Sequence, residues 1–132
     1  MNPHQSPTPR DRLGRPLRGS KCDTGALPQV PERSSISGEQ AWHEALDYLQ
    51  QELPFHVHEV CEQRWRCAPQ IERTTWRGLA QWGAALTHRA RGNETGAERL
   101  AVRARQTLDS ADEIPNYIDM DLVQASISEL TR

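Results

Sequence analysis

Residues 75–93, TWRGLAQWGAALTHRARGN, decide the fold. Trp76, Leu79, Trp82, Ala85 and Leu86 recur at the three- and four-residue intervals that bring side chains to one face of an α-helix, and Gly92-Asn93 supplies the stop. The helix they predict spans residues 71–91. Gly78 and Gly83 sit inside it, where each costs about 1 kcal/mol relative to alanine, so a neighbouring helix is expected to come close at both. Beyond the turn Arg91-Gly92-Asn93 a second helix, residues 94–108, carries Ala97, Leu100, Ala101, Ala104 and Leu108 on one side. So short a turn makes the two an antiparallel hairpin.

Working outward, Ser37-Gly38-Glu39-Gln40 has the form of a capping box and opens a helix marked by Ala41, Trp42, Ala45, Leu46 and Leu49. Pro54, tolerated in a first turn, starts another that Ala68-Pro69 closes. On the far side, Asp119 caps a short helix with Leu122, Val123, Ile127 and Leu130 on its inner face. No period-two alternation competes. The expected class is all-α: about five helices in a compact bundle over residues 36–132, behind a disordered Pro/Arg-rich tail, residues 1–35. The tail segment Met1 to Ser34 holds six of the nine prolines and too little apolar surface to offset its ordering entropy.

Charge divides the same way. Met1 to Ser34 has six Arg/Lys against three Asp/Glu, while Ser35 to Arg132 has ten against fifteen. An acidic body argues against a nucleic-acid groove, which needs a basic face to neutralise phosphate. Fifteen of the sixteen basic residues are Arg, the signature of a GC-rich bacterial genome. Prolines and charges interrupt any signal-like apolar run near Met1, and no stretch reaches the length of a membrane span. Cys22, Cys61 and Cys67 form no CxxC and no even set, which points to reduced thiols in a cytoplasm.

One segment is chemically provocative: His58-Glu59-Val60-Cys61-Glu62. Steps of about 100° per residue place Phe55, His58, Glu59, Glu62 and Trp65 on one side of its helix, and Val57, Val60, Cys61 and Arg64 on another. In one reading His58 and Glu62 bind a divalent metal ion with His88 as third ligand, while Glu59 polarises a bound water. The pattern is HExxE, and the missing second histidine makes a harder ion than zinc conceivable. In the other, Glu62 accepts a hydrogen bond from His58 and from an Arg, and a polar network fixes the helix packing. Gln81 and His88, seven residues apart, are expected to face the His58/Glu62 side. His56, about 200° round the helix from His58, is expected to be exposed, as is His43. Cys61 falls on the packing side as an inert thiol.

Three elements taken together, the HExxExxW stretch from His58 to Trp65, the GLxQ stretch from Gly78 to Gln81 and the H-x-x-RGN-x-x-GA turn from His88 to Ala97, resemble domain-of-unknown-function family 309 of bacteria and archaea. Arg12-Leu13-Gly14-Arg15-Pro16-Leu17 resembles the tail of actinobacterial members. The resemblance implies a compact helical bundle of uncharacterised role, whose relatives carry the label of predicted metal-dependent hydrolases. Cys61 and Arg64 stand where that family usually has aliphatic residues, and Tyr117 where it has a glycine. Two functions follow. The favoured one is a binding module that holds a small ligand or protein partner in a cleft around Phe55, His58, Glu62, Trp65, Gln81 and His88. The alternative is a metal-dependent hydrolase at the same cleft. The residues leave open whether there is catalysis and whether the chain is an oligomer.

Overall fold

Five α-helices follow one another in the computed structural model, which describes residues 28–132: α1 (Gly38–Gln50), α2 (Pro54–Cys67), α3 (Gln70–Ala90), α4 (Glu94–Asp109) and α5 (Met120–Leu130). Among the described residues there is no strand. The family-like tail segment 12–17 and Cys22 lie outside them. Local chemistry sets the boundaries. Ser37 Oγ accepts from Gln40 N at 3.1 Å, Pro54 occupies the first turn of α2, and the Asp119 side chain accepts from Leu122 N at 3.1 Å.

The first and third connections use the same device. At the end of α3 Gly92 turns left-handed (φ 84°), Asn93 N bonds to His88 O and Gly92 N to Arg89 O, a Schellman closure. At the end of α1 Glu52 takes that conformation (φ 58°), with Leu53 N on Tyr48 O and Glu52 N on Leu49 O.

α3 is the central element. It packs against α2, α4 and α5, and α1 packs outside on α2. Trp76, Leu79, Trp82 and Ala85 of α3 are buried, with Val57, Val60 and Cys61 of α2, Ala97, Ala101, Ala104 and Leu108 of α4, and Val123, Ile127 and Leu130 of α5. Both internal glycines of α3 mark close approaches. A Cβ on Gly83 would fall 2.6 Å from His58 Cα, and one on Gly78 would fall 2.7 Å from the Leu108 side chain. Each indole N–H of α3 has an acceptor: Trp82 Nε1 donates to Ser126 Oγ at 2.8 Å and Trp76 Nε1 to Glu72 Oε1 at 3.3 Å.

Residues 28–35, assigned by composition to the disordered tail, are tied to α1 and α2. The ties are donations from helix side chains onto carbonyls of this segment and of Ile36, which ends the strap: His56 Nε2 to Pro28 O at 2.7 Å, Gln63 Nε2 to Pro31 O at 2.8 Å and Arg64 Nη1 to Ile36 O at 2.9 Å. Arg33 answers in reverse, donating to Gln63 Oε1 at 2.7 Å and pairing with Glu44. His56 is therefore buried, 3% exposed, and not the solvent-facing residue that its helical angle suggested. Its face of α2 is covered by this strap and by the ring of Tyr48, 5.2 Å away between centroids.

Arg64 and Tyr117 meet at one carboxylate. Glu72 Oε1 accepts from Arg64 Nη2 at 3.2 Å, from Tyr117 Oη at 3.3 Å and from Trp76 Nε1. The phenol occupies space that only a glycine at position 38 leaves open, since a Cβ there would overlap its hydroxyl at 1.8 Å. The loop before α5 is thus held to α1 and α3 through Tyr117.

Candidate functional site

Opposite the strap, α2 faces a cleft of about 260 Å³ lined by His58, Glu62 and Trp65 of α2, Arg77, Ala80, Gln81 and Ala84 of α3, and Leu100 and Arg103 of α4. Its geometry starts from Gly83. Without a side chain there, α3 lies against the backbone of His58, near enough for the imidazole to cross between helices and donate from Nδ1 to Ala80 O at 3.0 Å. That bond places a proton on Nδ1, because a carbonyl only accepts. Nε2 faces Glu62 Oε2 at 3.3 Å, and the other oxygen of Glu62 is paired with Arg66. A chain of polar contacts therefore runs from the α3 backbone through His58 and Glu62 to Arg66. Phe55 lies over the imidazole, centroids 5.8 Å apart.

Of the expected cleft residues, His58, Glu62, Trp65 and Gln81 line the same opening. Phe55 supports His58 and is not part of the lining. His88 is not part of it either: its Nδ1 accepts from Asn93 Nδ2 at 3.0 Å, and Asn93 Oδ1 in turn accepts from Gly96 N at 3.0 Å, capping α4. A Cβ on Gly96 would fall 2.5 Å from that amide nitrogen, so the RGN-x-x-GA turn is a capping device with His88 as its buttress. Seven residues advance a helix about 10 Å, which carries His88 past the cleft. Among the described residues no three His, Cys, Asp or Glu side chains form a group that could hold a metal ion, so the expected trio of His58, Glu62 and His88 is not assembled.

Glu59, expected to polarise a water, is also absent from the lining. Its charge bears on Tyr48, whose hydroxyl is pushed above its ordinary pKa by burial first, then by Glu44 and, more weakly, by Glu59. Cys61 is fully buried, and burial pushes its thiol up to about 12, far from a nucleophile's range. His43 is exposed, as expected.

Two residues of the cleft were missed, and the expected Gln81 has an unsatisfied atom. Arg77 and Arg103 are exposed side chains on different helices that share the opening, and among the described residues neither has an ion-pair or hydrogen-bond partner. Gln81 Oε1 is buried with no hydrogen-bond partner. The signal was available for Arg77, one turn before Gln81 on the same face, but an exposed arginine usually reads as solvation.

The model of DUF309, a domain of unknown function, matches residues 42–100, from α1 into α4. Over that segment the chain is similar to DUF309. No curated protein and no solved structure matches the chain. The matched segment includes the α2 and α3 walls of the cleft, while Arg103 and the strap lie outside it. Among the described residues no helix is long and apolar enough to cross a membrane.

Proposed function

We propose that this helical domain is a cytoplasmic binding module that takes a small ligand in the α2/α3/α4 cleft. The observation that carries this reading is Gln81 Oε1, a buried acceptor without a partner in the wall of an open cleft with an apolar floor of Ala80, Ala84 and Leu100. An orphaned buried acceptor costs about 1–3 kcal/mol, and a ligand N–H or O–H would recover it. A volume of about 260 Å³ lies just below the range of roughly 300–1,000 Å³ typical for drug-sized ligands, which suits a fragment-sized molecule. His58 and Glu62 serve the site by position. Anchored to Ala80 O, His58 holds the α2 wall against α3, while Glu62, paired with Arg66 on α2 itself, lines the opening.

The test is a fragment screen by amide and indole NMR on the full chain. Binders should perturb the Trp65 indole and the Gln81 side-chain amide together, and Ala84→Phe, which fills the cleft from α3, should abolish those shifts without changing the helical circular dichroism. Perturbations scattered over other surfaces, or persisting in Ala84→Phe, would sink the reading.

A further inference from the structure

The charges around the cleft say what kind of molecule enters it. The described body is rich in carboxylates, with fifteen Asp/Glu against ten Arg from residue 35 onward, and the arginines that face the strap and α1 have found them: Arg33 pairs with Glu44 and Arg64 with Glu72. In the cleft the balance reverses. Its single carboxylate, Glu62, is already held by His58 and Arg66, while Arg77 and Arg103 present two guanidinium groups to one opening without a counter-charge among the described residues. A guanidinium recognises carboxylate or phosphate oxygens through paired N–H donors, and two of them lining one opening from different helices make it more positive than the acidic surface around it.

Two further features define the rest of the molecule. Trp65 forms one wall and Ala80, Ala84 and Leu100 supply short apolar side chains, a shape for a flat body stacked on an indole. Gln81 lies one turn after Arg77 on the same face of α3, so an acceptor and a cation belong to the same wall of the cleft.

Building on the reading of the cleft as a ligand site, we propose that its occupant is a small planar molecule with one anionic group, carboxylate or phosphate, at the Arg77/Arg103 end and a hydrogen-bond donor at the Gln81 end. The anion gives orientation, the ring gives burial, and the donor satisfies Gln81 Oε1.

The experiment is an NMR titration of the full chain at low salt with 4-hydroxybenzoate, with its uncharged counterpart 4-hydroxybenzamide, and with 4-hydroxyphenyl phosphate. For ligands of this size a dissociation constant on the order of 0.1–1 mM is expected for the acid, at least about tenfold tighter than for the amide. Arg77→Gln/Arg103→Gln should erase that advantage while leaving the amide's weak binding in place, and added salt should weaken the acid alone. Whichever of 4-hydroxybenzoate and 4-hydroxyphenyl phosphate binds more tightly identifies the anion. Equal binding of acid and amide at Trp65 and Gln81 would overturn the anion assignment and leave the cleft reading standing. If none of the three binds while other fragments enter the cleft, the assignment again fails alone. If nothing enters the cleft, both readings fall.

Discussion

The two sides of α2 use the same residue types to opposite ends. Toward α1 and the strap, His56, Gln63 and Arg64 all donate to backbone carbonyls, and Arg64 adds a carboxylate. That side retains two orphaned buried atoms, His56 Nδ1 and Arg64 Nε, each on a side chain otherwise tied down. Toward the cleft, His58 and Glu62 are anchored, yet across from them two arginines and a glutamine oxygen stand without partners among the described residues. One side anchors each of these long polar side chains within the fold, leaving only single nitrogens of His56 and Arg64 unpaired, which is close to what folding requires. The other leaves two guanidinium groups at an opening and a buried glutamine oxygen in its wall without partners among the described residues, which folding alone does not explain.

The sharpest way to break this contrast is at the helix contact beneath both sides. Gly83→Val should lower stability by about 3 kcal/mol, the upper end of ordinary overpacking, because the added carbons meet the backbone of His58, which cannot rotate away. For a body of this size that corresponds to a fall in Tm of roughly 12–20 °C, read by thermal circular dichroism. Gly78→Ala is the companion: its added carbon meets the Leu108 side chain, which can shift, so the loss should stay near 1 kcal/mol. Equal effects at the two glycines would mean that α2 is not seated on α3 as closely as the cleft geometry needs.

Next in size is Glu72→Ala on the strapped side. It leaves the Arg64 guanidinium, whose side chain is 12% exposed, and the buried Trp76 N–H without their acceptor. A loss of about 2 kcal/mol is expected, the cost of orphaning partly buried donors, measured by urea unfolding. A change within 0.5 kcal/mol would show that solvent serves these donors equally well, and the strapped side would lose its claim to internal satisfaction.

Much of this was legible in the sequence because it is local. Ser37, Pro54, Gly92 and Asp119 act within a turn of themselves, and the α3 stripe repeats on its own helix. What escaped was set by chain segments with no period. His56 was misread because a helical angle of 200° from His58 implies solvent only if a helix has one covered side, whereas α2 is covered on two. The second cover, residues 28–36, is recognised by its carbonyls, which every residue possesses. His88 was misplaced for the complementary reason: a shared angular face says nothing of the distance along the axis. Arg77 and Arg103 were overlooked since their partnership depends on the spacing of α3 and α4, fixed by Gly78 and the alanines of α4.

The packed side of α2 also predicts a pH response. Burial raises the Cys61 thiol from 9.0 to about 12, so its contribution is full below pH 9 and fades as pH rises toward 12. By pH 10 the unfolded chain gains about 1 kcal/mol from ionising this thiol. Urea midpoints at pH 7 and pH 10 should therefore diverge less in Cys61→Ala than in the native chain. Identical divergence would place the thiol in contact with solvent and the α2 packing face ajar.

The smallest expected effect carries the comparison furthest. Arg77→Gln/Arg103→Gln should change stability by no more than about 0.5 kcal/mol, the range of surface substitutions that touch no structural feature. Two opposing terms make it so: the body becomes more acidic, which raises its self-repulsion, while two like charges facing one opening are relieved. Arg64→Gln, the same exchange on the other side of α2, should cost about 2 kcal/mol by releasing Ile36 O and Glu72. If the double variant lost as much as Arg64→Gln in a urea titration, Arg77 and Arg103 would have structural partners in solution and the cleft would be one more satisfied surface. If it loses nothing, two charges sit at a cleft on an acidic domain without serving its stability, and their counterpart has to come from outside the fold.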